Sequence, residues 1–177
     1  MKAGRKVGLF LSGVSRRMFR WVFQFLLVLT LSLWVGSLVF FTAIVAPGVF
    51  AALDRPTAGK VLAQIFPKYY RGGAVCGAAA LIVLTLLFLF DSGSRPLRFL
   101  QLTLVLLMMA ATLYAGWILE PRVHQVRQER LQATGSAQRE DAERRFQKLH
   151  ARSVRLNLGV MALGVAGLGT LAARKKA

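Results

Sequence analysis

The sequence predicts an all-α, polytopic membrane protein: a four-transmembrane-helix bundle. Its main support is four long uncharged stretches, residues 21–46, 72–90, 99–119 and 156–173, of 26, 19, 21 and 18 residues. A helix rises about 1.5 Å per residue, so roughly 20 apolar residues cross a hydrocarbon core of about 30 Å. In lipid every backbone N–H and C=O must pair within the protein, which makes such spans helical. The second support is charge: 24 Lys and Arg against seven Asp and Glu, a formal net charge of +17, with the basic residues beside the apolar stretches. In a soluble chain that balance would suit nucleic acid. Here anionic headgroups are nearer, and each cation at such a surface gains about 1 kcal/mol. The expected partners are therefore membrane lipids, anionic in kind, and no nucleic acid.

The 177 residues leave room for one membrane domain. A basic amphipathic segment, 1–20, precedes the membrane domain, 21–173, and a basic tail, 174–177, follows it. Lys2, Arg5, Lys6, Arg16, Arg17 and Arg20 precede an apolar run of 26 residues, whereas a cleavable signal core is about 7–15. Pro47 also follows Ala46 at the small-residue boundary, so the first span is expected to stay uncleaved. Val7, Phe10, Leu11, Val14, Met18 and Trp21 follow helical spacing opposite the basic residues. That pattern predicts an interfacial helix, with Arg16, Arg17 and Arg20 on lipid headgroups.

After the first span, Ala46-Pro47-Gly48 predicts a break or bend. An interfacial segment follows, with Pro56 in the first turn of a short helix and Ala58, Val61, Leu62, Ile65 and Phe66 on one face. Phe66-Pro67 is expected to end it, and Lys68-Tyr69-Tyr70-Arg71 reads as a membrane-boundary anchor. The second span holds the single cysteine, Cys76, so no intramolecular disulfide or cysteine metal cluster is expected. Residues 91–96, Asp-Ser-Gly-Ser-Arg-Pro, predict a tight turn into the third span.

Residues 120–155 hold nine of the 24 basic and five of the seven acidic residues. Val123, Val126 and Leu131 continue a helical stripe, Thr134-Gly135-Ser136 breaks it, and Ala142, Phe146, Leu149, Ser153 and Leu156 lead into the fourth span. The expectation is a projecting helical hairpin laced by pairs such as Glu140–Arg144, its charge run a solvated face.

Small residues indicate where the spans close on one another, because lipid tails give helices no hydrophobic push together. Gly73 and Gly77 form a GxxxG pair; Gly159, Ala162, Ala166, Gly169 and Ala173 line one side of the fourth span. Ser32, Gly36, Ala43 and Ala46 do the same on the first. Gly36, Gly73, Gly77, Gly159 and Gly169 are therefore the expected packing positions, within the bundle or against a second copy in a homo-oligomer. The two halves also echo each other at an offset of 80, as Leu33-Trp34-Val35-Gly36 with Leu113-Tyr114-Ala115-Gly116 and Tyr70 with His150. A repeat of two spans each would be parallel in topology.

No Asp, Glu, Lys, Arg or His lies within any apolar stretch, which argues against an ion-coupled transporter. His124 and His150 flank the hairpin without further ligand spacing, so neither a metal nor a haem cofactor is expected. There is no GxSxG, P-loop or HExxH pattern, hence no predicted catalytic residue and no enzyme. The candidate polar cluster is His150, Ser153 and Asn157, at i, i+3 and i+7 where the chain enters the fourth span, with Tyr70 at the matching boundary.

Leu33-Trp34-Val35-Gly36, Ala46-Pro47 with Phe50, Ala58-Gly59 and Phe66-Pro67 together resemble the transmembrane protein 205-like family. Glu120-Pro121-Arg122, Phe146, Leu149-His150, Ser153 and Asn157 extend the likeness to roughly residues 25–172. The resemblance implies a bacterial four-span membrane protein of unknown function and no particular activity. The basic N-terminal segment stands outside that pattern. The functional expectation is a non-enzymatic module that interacts with lipid or protein. The competing one is an oligomeric small transporter, channel or exporter component of unknown substrate. The six basic residues ahead of the first span place both termini on the cytoplasmic side of a bacterial inner membrane.

Overall fold

The computed structural model describes residues 2–90 and 95–173, with side chains over 17–90 and 95–172. The expected turn at 91–94, the tail at 174–177, Arg16 and the Val7, Phe10, Leu11 and Val14 side chains lie outside what is described. The elements are α1 (Lys2–Phe40), a π-helical segment π1 (Phe41–Val45), α2 (Ala46–Ala52), α3 (Arg55–Phe90), α4 (Arg95–Leu113), π2 (Tyr114–Leu119), α5 (Glu120–Gln132) and α6 (Ser136–Ala173). They form four rods packed in the cyclic order α1, α3, α4, α6, with α6 closing back on α1.

All four rods are long and apolar enough to cross a membrane, and the chain is a multi-pass membrane protein. Rods of 36, 36, 38 and 37 residues are about 54–57 Å long at about 1.5 Å per residue. That is nearly twice the roughly 30 Å of hydrocarbon they must cross. Exposed Lys68 and Arg71 on α3 and Arg152 and Arg155 on α6 sit part-way along their rods. From that level the apolar stretches run to the far ends of α3 and α6. The surplus, about 25 Å by the same rise, therefore stands outside the hydrocarbon on the side of the 53–54 and 133–135 connections. The second hairpin projects, and the segment after the first span accompanies it as helix, in α2 and the first turns of α3.

Proline does not break these rods, contrary to the expectation at Pro47 and Pro67. Pro47 and Pro121 each come two residues after a π segment. A proline lacks its N–H and its ring strikes the carbonyl four residues back. Those carbonyls, of Ala43 and Trp117, lie inside π1 and π2, where the wider turn moves them aside. Pro67 lies within the uninterrupted α3, so Phe66-Pro67 ends nothing. At the first connection Asp54 caps α3, its carboxylate accepting the Thr57 N–H at 3.1 Å. Hydrogen bonds from the Thr57 side chain and amide hold that carboxyl below the usual carboxylate range.

The core follows a strict spacing on α1. Leu27, Leu31, Trp34, Leu38 and Phe41 point inward at alternating steps of four and three, the seam of a packed helix pair. The first four meet Ala80, Val83, Leu84 and Leu87 of α3, Val105 and Met108 of α4, and Val160 of α6, and Phe41 packs on Phe66 and Tyr69. Gly73 and Gly77 form the notch that seats Trp34: a Cβ at Gly77 would lie 2.8 Å from the indole, and one at Gly73 2.9 Å from its Nε1.

Within the bundle the other expected packing glycines make no contact. Nothing lies within 4 Å of a Cβ at Gly36, Gly159 or Gly169, and Ala162, Ala166, Ser32 and Ala43 are exposed with them. On α6 the inward face is Ser153, Asn157, Val160, Gly164, Gly167 and Thr170. A Cβ at Gly164 would meet Val35 at 2.3 Å. The polar side chains select that face, because an amide or hydroxyl directed at lipid loses its partner. Thr85 and Thr103 escape the rule by donating to Leu81 and Phe99 carbonyls one turn back.

In the projecting part Arg127 is buried, not solvated. Its guanidinium donates to the Gly59 carbonyl and, at 3.3 Å, to the Pro56 carbonyl, tying α5 to α3. Glu140–Arg144 is not among the ion pairs of the described residues. Instead Arg130 meets Glu143 at 2.8 Å, and Arg145 meets Glu129 and Asp141, each at 2.9 Å. Two of these bridge α5 and α6. Arg98, which the sequence places just outside the third apolar stretch, is 1 % exposed. Near it Gln101 donates to Thr170 at 3.1 Å.

Candidate functional site

Where the rods leave the hydrocarbon, all four contribute polar groups to one layer: Trp34 and Ser37 from α1, Tyr69 and Tyr70 from α3, Thr112 from α4, Ser153 and Asn157 from α6. Most are inward for a local reason. Trp34 lies on the α1 seam; Ser37, one turn on and exposed, edges the layer, its hydroxyl donating to the Trp34 carbonyl at 2.8 Å. Gly116 in π2 lets the Tyr70 backbone approach, since a Cβ there would stand 2.7 Å from the Tyr70 Cβ. Phe41 stacks on Tyr69 with ring centres 4.7 Å apart, and Tyr69 meets Tyr70 edge-on at 5.2 Å.

Of the four candidate cluster residues, the structure brings three together. Tyr70 is 4 % exposed, and its hydroxyl lies 3.3 Å from the Ser153 Oγ, either oxygen able to donate. Asn157 also interacts with that hydroxyl, and the Glu120 charge at the start of α5 acts on it. His150 is a correction. It is exposed and stacks on Phe146, ring centres 5.9 Å apart and planes 4° from parallel. The four–three rhythm of the inward face, carried back from Ser153, reaches His150, but at that level α6 has left its apolar stretch and the imidazole keeps its water. The proposed equivalence of Tyr70 with His150 therefore joins a buried side chain to an exposed one. Gly36 and Gly116 are also unlike, one open and one pressed against Tyr70.

Between these residues lies an enclosed cavity of about 10 Å³, lined by Trp34, Ser37, Leu38, Tyr69, Tyr70, Gly73, Thr112 and Asn157. That is room for about one water. The Tyr69 hydroxyl is buried with no hydrogen-bond partner among the described residues, and a water here would supply one. With His150 turned away, the layer offers hydroxyls, an indole and an amide, groups that hydrogen-bond across the bundle.

Trp34, Ser37, Tyr69 and Thr112 were not singled out as site residues from sequence. The four–three spacing of Leu27, Leu31, Trp34, Leu38 and Phe41 is the signal that would have found Trp34. The headgroup candidates Arg17 and Arg20 are exposed and flank a surface groove with Met18, Trp21 and Gln24.

A protein from Aquifex aeolicus (strain VF5), itself uncharacterized, is 29% identical over 133 residues, covering 75% of this chain and 84% of its own. No solved structure matches the chain. The family described as "Domain of unknown function (DUF4149)" matches residues 29–132, from the middle of α1 to the end of α5, and so takes in the α1, α3 and α4 members of the polar layer. With more than half of its length inside that match, the chain belongs to the DUF4149 family.

Proposed function

We propose that this protein is a non-enzymatic membrane module that works by holding lipid and partner proteins against its surface. The observation that carries this reading is the closure of the polar layer: where a path through the bundle would run, Trp34 fills the Gly73–Gly77 notch and about 10 Å³ remains. A substrate path needs far more. The competing reading, an oligomeric transporter or exporter component, draws support from the polar layer itself.

The finer likeness to the transmembrane protein 205-like family belongs to this proposal, resting on the ordered motifs from Leu33 to Asn157. So does the setting: a bacterial inner membrane with both termini cytoplasmic. Native mass spectrometry of the chain released from nanodiscs tests the reading by reporting copy number and bound lipid together. A monomer or small oligomer that retains anionic lipid is expected. A ring-like oligomer free of lipid contradicts it.

A further inference from the structure

Beside the closed layer, on the outer surface between π2 and α6, lies an open groove of about 570 Å³ lined by Tyr114, Lys148, Leu149, Arg152, Arg155 and Leu156. We infer that this groove is a binding site for the phosphate headgroup of an anionic glycerophospholipid from the surrounding leaflet; the inference rests on the lipid-holding reading above and gives it a place.

Charge comes first. Lys148, Arg152 and Arg155 follow i, i+4, i+7, so one face of α6 carries three cations into one groove, with no carboxylate among the lining residues. Elsewhere on the same hairpin Arg130 and Arg145 are neutralised by Glu143, Glu129 and Asp141. Among the described residues none of the three groove cations has an acidic partner within ion-pair distance. Arg122, Arg139 and Arg144 likewise make no ion pair among the described residues, so what sets these three apart is that they converge on one groove.

Depth comes second. Leu156 begins the fourth apolar stretch, and Tyr114, the first residue of π2, lies inside the third. Arg152 and Arg155 therefore stand at the hydrocarbon boundary, with Lys148 about two turns outside it and Leu156 as the apolar floor leading from them into the bilayer. A free phosphate would use the cations alone, whereas a phospholipid uses both. The volume is in the range of small-ligand sites, roughly 300–1,000 Å³, and basic pockets between spans suit anionic headgroups.

Orientation comes third. The Arg152 guanidinium lies over the Tyr114 ring, 5.4 Å from its centre. Stacking of this kind holds the plane by its face and leaves the N–H edges for oxygen. The wide turn of π2 carries Tyr114 to that position, so the segment that accommodates Pro121 also supplies the groove's wall.

The test is titration of the purified full chain with phosphatidylglycerol, read by native mass spectrometry. It compares wild type, the triple variant Lys148→Gln/Arg152→Gln/Arg155→Gln, and a charge-matched control, Arg122→Gln/Arg139→Gln/Arg144→Gln. The groove variant should bind roughly tenfold or more weakly, and the control should bind like wild type. Arg152→Lys with Arg155→Lys, which keeps the charge, should recover most of the binding. Phosphatidylcholine and inorganic phosphate should each fail to compete at the same concentration. Equal loss in groove and control variants overturns the site while leaving the lipid-holding reading standing. Competition by inorganic phosphate overturns the phospholipid assignment, and absence of lipid retention by every chain overturns both.

Discussion

Trp34 shows how one residue sets the spacing of the bundle. Its ring lies on α3 where two glycines remove the side chains that would hold it off, and Met109 closes over Gly77 from α4. Alanine at Gly77 would place a methyl 2.8 Å from the rigid indole and 2.6 Å from the flexible Met109 Cε. Removing a helical glycine gains about 0.5–1 kcal/mol, but overpacking costs about 1–3 kcal/mol, so the loss wins. Gly77→Ala should lower the thermal midpoint in detergent, and Gly36→Ala, in open space, should hold or raise it. Equal shifts for both would show that the notch does not set the packing. The GxxxG pair was legible as a contact because its spacing is a property of α3 alone. Gly36, Gly159 and Gly169 make no such contact within the bundle; small residues mark a close contact only where a partner meets them, and that partner lies on another helix or, as the expectation allowed, on a second copy.

At the scale of an element, the rods extend past the bilayer because their outer turns are tied to one another. Arg127 is the cross-link between the halves: it reaches the Pro56 and Gly59 carbonyls from α5, and Gly59 is the residue that makes room. Hydrogen bonds to a charged group contribute about 1.5–3 kcal/mol each. Arg127→Ala should therefore speed amide exchange in residues 55–62 and 120–132 by roughly tenfold or more, with the hydrocarbon-crossing turns unchanged. Uniform acceleration over the whole chain would mean that the projection is not a separate unit. Sequence reasoning found the projecting hairpin from its change of composition. It missed the accompanying first hairpin because Pro47 and Pro67 read as breaks. A π segment is a tertiary adjustment with no residue signature, so the continuity of α1 through Pro47 could not be seen from the chain. The burial of Arg127 was hidden for a related reason, since nothing local separates it from the exposed arginines around it.

At the scale of the whole molecule, the four rods alternate in direction, with the 53–54 and 133–135 connections at one end of the bundle and Arg17 and Ala172 at the other. In a Cys76→Ser background, Ser136→Cys should react with an impermeant thiol reagent added to intact cells if the termini are cytoplasmic; protection until the cells are opened would reverse the orientation. The central claim, however, is that the bundle is closed and acts through its surface. Proton flux into proteoliposomes under an imposed pH gradient and voltage tests it most directly, with wild type and Asn157→Leu compared against protein-free vesicles. The account predicts that all three leak at the same rate, with Asn157→Leu altering stability alone. Flux above the protein-free rate in wild type, abolished by Asn157→Leu, would contradict it.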